Sequence, residues 1–143
     1  MNVSEIIENK IARVRHVMED TADHSSVKFD SRIRDTLSLI AKRPNSAMAV
    51  MGADDVMVGI VTEKDIIIAL EKDGSEVLEL TVDTIMTANP EITNPEAPCK
   101  DVLVKMIEGN FRNVPVFEGD VFGGIVQTLE IAEGKLSEVL EEN

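Results

Sequence analysis

The chain has 143 residues, of which 43% are hydrophobic and 29% charged, as in an ordinary globular protein. Its net charge of −13 and its lack of Trp and Tyr argue against nucleic-acid binding, because an acidic surface repels phosphates and offers no stacking platform. No apolar run approaches the ~18 residues of a membrane span, no secretory signal is recognisable, and one cysteine excludes an internal disulfide, so we expect a cytoplasmic protein without membrane binding.

The first half of the chain predicts the element order β-α-β-β-α. A β-rich stretch at 27–29 precedes a helix over 33–40, whose apolar residues recur at helical spacing, and Pro44 ends the pattern. A hairpin follows, with strands at 47–51 and 56–61. The stretch EKDIIIALEKDG then predicts a closing helix.

The hairpin turn is Gly52-Ala53-Asp54-Asp55. Its two adjacent carboxylates could be interpreted as metal ligands, but a hard cation needs more converging oxygens than two neighbours supply. Glycine and aspartate are also ordinary turn residues. We therefore predict no metal site.

The second half repeats the same order. Pro98 suits the first turn of a helix that ends near Gly109, and strands at 113–117 and 121–126 precede a final helix. Cys99 is predicted to be a core residue rather than a reactive thiol, since free cysteine is among the most buried residue types. The predicted apolar face of the helix consists of Cys99, Leu103, Met106 and Ile107.

Sliding the chain along itself reveals the duplication directly. VRHVM at 14–18 matches VDTIM at 82–86, IRDTL at 33–37 matches CKDVL at 99–103, and GIV at 59–61 matches GIV at 124–126. The offset changes only in predicted loops, which tolerate deletions. We predict an N-terminal segment with repeat 1 at residues 1–76 and repeat 2 at residues 77–143. Because a unit of this size is marginal alone, each copy needs the other as a packing partner.

These segments resemble a tandem pair of cystathionine-β-synthase (CBS) domains, the regulatory unit called a Bateman module. The resemblance rests on VRHVM, IRDTL, AMAVM and GIVTEKD in copy one, and on VDTIM, CKDVL, FRNVPVFEGD and GGIVQTLEI in copy two. It implies an α+β fold of two β-α-β-β-α repeats packed through their sheets as a pseudo-twofold module with two clefts. It also implies a disk-like homodimer and adenosine ligands, namely AMP, ADP, ATP, NAD or S-adenosylmethionine.

Copy one carries a polar set that suits a nucleotide. Ile60 lies near the end of a strand, and Thr62 opens a helix whose unpaired N–H groups and dipole favour a phosphate. The Thr62 hydroxyl and the Lys64 ammonium add to phosphate binding, and Asp65 can accept hydrogen bonds from two ribose hydroxyls. The resemblance assigns the matching threonine and aspartate to phosphate and ribose.

Residues 62–65 also fit a capping box, in which the side chains of Thr62 and Asp65 each accept a hydrogen bond from the other's backbone N–H. That arrangement contributes ~1 kcal/mol to stability and implies no ligand. The duplication and the resemblance together favour ligand binding over a cap alone.

Copy two keeps the apolar residues of this element but changes the polar ones. Gln127 replaces Thr62, Glu130 replaces Asp65, and Thr128 comes one residue late for the same cap. We therefore predict one strong site, built mainly by copy one, and one weak, altered or empty site.

The resemblance adds further positions around these sites. In copy one they are Lys28, Ser46 and Ala47, and in copy two Asn94, Arg112 and Asn113. In some relatives a basic residue near the position of Arg112 contacts phosphate, and the alternative is that Arg112 is a surface residue without a ligand. His16 and His24 have no partner pattern for metal binding or catalysis and are predicted to be structural or solvated.

The favoured hypothesis is a non-catalytic, energy-sensing module that binds an adenosine ligand, AMP, ADP or ATP above all, and signals to a partner enzyme or transporter. The alternative is a ligand-independent scaffold or dimerisation module. An enzyme is disfavoured because the sequence shows no nucleophile–base set, metal cluster or phosphate-cradling glycine loop.

Overall fold

A computed structural model of the chain describes residues 11–18, 22–42 and 47–142. The helices are α1 (Val14–Val17), α2 (Ile33–Ala41), α3 (Glu63–Asp73), α4 (Cys99–Gly109) and α5 (Thr128–Glu142). The strands are β1 (Ser26–Lys28), β2 (Ala47–Met51), β3 (Met57–Thr62), β4 (Thr87–Ala88), β5 (Asn113–Glu118) and β6 (Val121–Gln127). The predicted helices and hairpin strands are thus confirmed to within a residue or two, and Pro44 lies outside the described residues.

The chain folds into two compact units that are cut differently from the two repeats. The repeat-1 unit is Asp23–Pro90, and the repeat-2 unit combines Met1–Ala22 with Glu91–Asn143. The predicted boundary between residues 76 and 77 separates the two sequence repeats, which are not the same as these structural units, and it stays a prediction.

Each unit contains the leading segment of the other repeat. In the repeat-2 unit, the Val14 N–H of α1 donates to the Ala97 carbonyl at 2.9 Å. In the repeat-1 unit, the Val82 N–H donates to the Ser31 carbonyl at 2.8 Å, and Val82 is fully buried. The segments VRHVM and VDTIM, which match each other in the sequence, have therefore changed places.

The repeat-1 unit contains a four-stranded sheet in the order β1-β2-β3-β4. β1 runs parallel to β2, as expected for two strands joined by a crossover helix, and β2 and β3 form an antiparallel hairpin. The short β4 pairs with β3, with Thr87 opposite Ile60. This register sets which residues meet at each end of the sheet.

One face of this sheet packs against α2 and α3. The predicted helix face is confirmed, since Ile33 and Ile40 are buried and Leu37 packs against the same cluster. The buried cluster consists of Val27, Ile33, Ile40, Met48, Val50, Val61, Ile66 and Val82.

In the repeat-2 unit, β5 and β6 form an antiparallel hairpin, and the strand expected beside β5 is reduced to one bridge between Thr93 and Val116. Pro115 accounts for the difference. It takes the place of Ala49, whose N–H donates to the Ser25 carbonyl at 2.7 Å in the repeat-1 unit. Proline has no N–H to donate, so the ladder is interrupted there.

Helix α4 differs from its prediction at three positions. Pro98 lies directly before the helix rather than in its first turn, and the left-handed residue after the helix is Asn110, not Gly109. Ile107 is 69% exposed, whereas Val102 is buried in the core with Cys99 and Met106. Ile107 follows Met106 directly and is rotated from it by about 100°, which carries it off the core face.

Gly134 of α5 lies where two other elements approach the helix closely. A Cβ at this position would lie 2.9 Å from both Cys99 Sγ and Val17 Cγ1. We expect Gly134→Ala to lower the free energy of unfolding by about 1–3 kcal/mol, because a buried methyl group has no space there. Chemical denaturation measures the change.

The matched control is Lys105→Ala on the exposed side of α4. Its free energy of unfolding should change by about 0.5 kcal/mol or less. Equal stability of both variants would contradict the close packing of α5.

Candidate functional site

The end of β3 and the start of α3 bring Thr62 and Asp65 together. Thr62 is extended and caps the helix, and its Oγ1 accepts a hydrogen bond from the Asp65 N–H at 3.1 Å. In return, Asp65 Oδ2 accepts one from the Thr62 N–H at 2.9 Å. The capping box considered for the sequence is therefore present.

The cap leaves hydrogen-bonding capacity unused. Thr62 Oγ1 accepts within the box, so its O–H remains a donor, and Asp65 uses Oδ2, so Oδ1 remains an acceptor. Neither group has a further partner among the described residues, and both side chains are partly accessible to solvent. A helix cap and a ligand site are thus compatible in the same four residues.

Other predicted residues of copy one lie close to this pair. Ala47 is opposite Thr62 across the hairpin, and Ile60, buried at 6% exposure, comes two residues before it. Lys64 is exposed in the first turn of α3, where it adds a positive charge between Glu63 and Asp65. Ser46 lies outside the described residues.

Lys28 is not brought to this end of the sheet. It is opposite Met51, whereas Thr62 is opposite Ala47, four residues earlier on β2. At ~3.3 Å per residue, Lys28 and Thr62 are offset by about 13 Å along the direction of β2. Because β1 and β2 are parallel, the start of β1, not its end, lies nearer to Thr62.

Two hydroxyl residues near this end were not predicted. Ser26, the first residue of β1, is opposite Ala49, and Thr87 of β4 is opposite Ile60 on the other side of the hairpin. The β-α-β order already implied a parallel β1, so Ser26 could have been chosen over Lys28. Thr87 gave no such signal, because its segment belongs by sequence to copy two.

Copy two builds a related but altered helix start. The Gln127 N–H donates to Glu130 Oε1 at 2.9 Å, so the carboxylate half of the box persists despite the longer side chain. The Thr128 hydroxyl faces the Arg112 carbonyl at 3.4 Å, and the Thr128 N–H donates to the same oxygen at 3.0 Å. Thr128 therefore binds its own hairpin instead of replacing Thr62.

The remaining predicted residues of copy two are divided between the ends of the hairpin. Asn113 is opposite Gln127, with a buried Oδ1 that has no hydrogen-bond partner in the described part of the chain, and Arg112 beside it is exposed. Asn94 follows Thr93, which bridges to Val116, and so lies toward the other end. Its Oδ1 accepts from the Glu96 N–H at 3.0 Å, which is a local turn contact.

The other features of the described residues that bear on function are the histidines, the potential metal ligands and the hydropathy of the helices. His16 is buried, and its Nδ1 accepts a hydrogen bond from the Arg13 N–H at 2.9 Å, whereas His24 is exposed. Within 11–18, 22–42 and 47–142, no three His, Cys, Asp or Glu side chains converge as metal ligands. No helix in this part of the chain has the length and hydropathy to cross a membrane.

A family model for the CBS domain matches residues 14–72 and 82–132. The chain belongs to the CBS domain family. A curated CBS domain-containing protein of Arabidopsis thaliana, CBSCBSPB1, is 30% identical over 108 residues, which are 76% of this chain. The chain spans 19% of the length of that relative, and 15–35% of the lengths of the other curated relatives it matches.

Solved CBS structures show the same fold. The CBS-domain containing protein ATU1752 from Agrobacterium tumefaciens has a TM-score of 0.78 at 26% identity, covering 87% of this chain and 95% of its own. CBSX2, solved in complex with AMP, has a TM-score of 0.71 at 22% identity, with coverages of 87% and 96%. The CBS domain pair of MJ0100, solved with 5′-methylthioadenosine and S-adenosyl-L-methionine, has a TM-score of 0.73 at 23% identity. The match covers 86% of this chain and 94% of that protein.

The α+β fold of tandem CBS repeats is thus confirmed. The ligands in those two complexes share an adenosine moiety. In this chain, copy one is the CBS repeat that combines a hydroxyl cap with an aspartate at the helix start.

Proposed function

We propose that the chain is a non-catalytic regulatory CBS module that binds an adenosine-containing ligand at copy one and signals its occupancy to a partner protein. The observation that carries this proposal is the Thr62–Asp65 pair. It keeps one free hydroxyl donor and one free carboxylate oxygen at the N-terminus of α3. The support from the family is that CBSX2 was solved with AMP and MJ0100 with two other adenosine compounds.

Each part of the ligand has a chemical counterpart at this site. Asp65 Oδ1 can accept a hydrogen bond from a ribose hydroxyl without breaking the bond between Oδ2 and the Thr62 N–H. A 5′-phosphate suits the helix N-terminus, with the Thr62 hydroxyl as donor and Lys64 as a nearby positive charge. Because the cap already orders these groups, binding would cost little further conformational entropy.

Copy two would bind more weakly or take a different ligand. The hydroxyl at Thr128 is directed to the Arg112 carbonyl, and the Glu130 carboxylate is one methylene further from its backbone than that of Asp65. Arg112 and Asn113 offer a cation and an amide at the same end of the hairpin. We propose one strong site per chain, occupied by AMP, ADP or ATP before NAD or S-adenosylmethionine.

Signalling follows from differential binding. A ligand that favours one of two arrangements shifts the population toward it, and only by the ratio of its affinities for the two. We propose that this cytoplasmic module acts as a homodimer and reports energy state to an enzyme or a transporter. Exposed leucines on α5 offer apolar surface for assembly, with Leu129 at 68% and Leu136 at 56% exposure.

The second candidate function is a scaffold without a small ligand. It is favoured by the completeness of the capping box, which satisfies the Thr62 and Asp65 N–H groups with no ligand present. In that case the polar pair contributes only ~1 kcal/mol to the start of α3.

Calorimetric titration with AMP, ATP, NAD and S-adenosylmethionine distinguishes the two functions. Heat is the suitable signal because the chain has neither Trp nor Tyr for intrinsic fluorescence. We expect saturation by one of these ligands at one molecule per chain. A folded protein, free of co-purified nucleotide, that gives no heat with any of them and stays a dimer by light scattering would establish the scaffold instead.

A further inference from the structure

A cavity of about 470 Å³ lies in the repeat-2 unit, at the turn end of the β5–β6 hairpin. Its walls are mainly apolar and include Met18, Pro95, Val116 and Phe122. Glu118 is the single charged residue in the described part of its lining. The volume is in the range of small-molecule sites, which are mostly apolar with a few polar groups.

The cavity is lined by a residue at which the two copies differ. Gly123 lines it and precedes Gly124 as Val58 precedes Gly59 in copy one. In the repeat-1 unit, Val58 is partly buried and packs against the core cluster, as Met86 does. Copy two has glycine there, and a Cβ added to Gly123 would point between the Val116 carbonyl at 3.5 Å and Met18 Cε at 3.6 Å.

The cavity is separate from the helix start of copy two. Glu118 is opposite Val121 beside the turn, whereas Asn113 and Gln127 pair at the other end of the same hairpin. Five residues of β5 separate the two ends, which corresponds to about 17 Å. A ligand in this cavity would therefore not contact the helix start of copy two.

The lining favours a positively charged ligand with an apolar body. Phe122 is held by Phe117, with ring centroids 5.6 Å apart and planes inclined at 55°. The face of an aromatic ring attracts a cation, and the Glu118 carboxylate supplies the opposite charge. The Met18 side chain is flexible and polarisable, so it can pack against an apolar body of irregular shape. The net charge of −13 adds to the attraction of cations and the repulsion of anions.

We propose that this cavity binds a small organic cation, a quaternary or protonated amine with an apolar body, with Glu118 as its counter-charge and Phe122 as its aromatic wall.

The test uses choline and its uncharged carbon analogue 3,3-dimethylbutan-1-ol, followed by amide NMR of the full chain. We expect choline to shift the amide signals of residues 118–123 and to bind at least about 5-fold more tightly than the neutral analogue. Equal affinity for the two molecules, or no shift at millimolar choline, would overturn the proposal.

Two variants locate the site. Gly123→Val introduces the residue that copy one has at this position. It should abolish choline binding, because the valine methyl groups would occupy the cavity. The fold should persist, because the backbone of Gly123 is outside the left-handed region. Glu118→Gln should weaken choline binding about 3- to 10-fold, with Asp120→Asn on the same turn as the control. Undiminished binding by a folded Gly123→Val variant would show that choline binds elsewhere.

Discussion

Asp65→Asn is expected to weaken binding of the adenosine ligand by about 10- to 100-fold. A hydrogen bond to an ionised group contributes ~1.5–3 kcal/mol, and each 1.4 kcal/mol is a factor of ten in affinity. Asparagine keeps an amide oxygen that can accept from the Thr62 N–H, so the capping bond at 2.9 Å and the start of α3 should be retained. Calorimetry with whichever of the four ligands binds the wild-type chain measures the effect.

The matched variant is Glu130→Gln at the corresponding position of copy two. It keeps an oxygen for the Gln127 N–H and should lower affinity less than about 3-fold, because the main site lies in copy one. Equal losses from the two variants would contradict the asymmetry of the copies. Denaturation of both variants checks that stability is unchanged to within about 1 kcal/mol.

Gly59→Ala is expected to destabilise the repeat-1 unit strongly, because β4 lies directly against Gly59. A Cβ at Gly59 would lie 2.6 Å from Met86 Sδ and 2.7 Å from the Thr87 carbonyl oxygen. The backbone of β4 cannot retreat without losing its pairing with β3, so we expect a cost of about 2–3 kcal/mol. The midpoint of thermal unfolding should fall by about 5–10 °C.

Gly123→Ala is the control, because its Cβ would meet its nearest neighbours at 3.5 Å and 3.6 Å, which are ordinary contacts. Its midpoint should stay within about 2 °C of the wild type. Hydrogen exchange gives a local readout, since the Asn89 N–H donates to the Val58 carbonyl at 3.3 Å beside β4. Faster exchange of Asn89 in Gly59→Ala is expected, and unchanged exchange would mean that β4 does not depend on the glycine.

The elements of the fold follow from local patterns in the sequence. Ile33, Leu37 and Ile40 mark the core face of α2 because their spacing matches the helical period. The core face of α4 was predicted less well, since Val102 is buried where Ile107 was expected. Helix α4 has more apolar residues than one face can hold, and only the packing of the unit selects among them. The exchange of VRHVM and VDTIM between the units depends on long-range contacts that local patterns do not contain.

The site was predictable where it is local and less so where it depends on register. Thr62 and Asp65 are three residues apart, so their geometry follows from the helix start alone. Lys28 was placed by analogy of position, but the parallel pairing of β1 displaces it by about 13 Å along the strand direction from the level of Thr62 and brings Ser26 nearer. Ala47 lies opposite Thr62 because a short hairpin fixes its own register.

The exchange of leading segments has a consequence for the history of the chain. In this chain, the core of each repeat is completed by the segment that precedes the other repeat. An ancestor with one repeat could have reached the same arrangement by exchanging this segment between two molecules. Gene duplication would then have joined those two molecules into one chain, and their partnership would no longer depend on protein concentration.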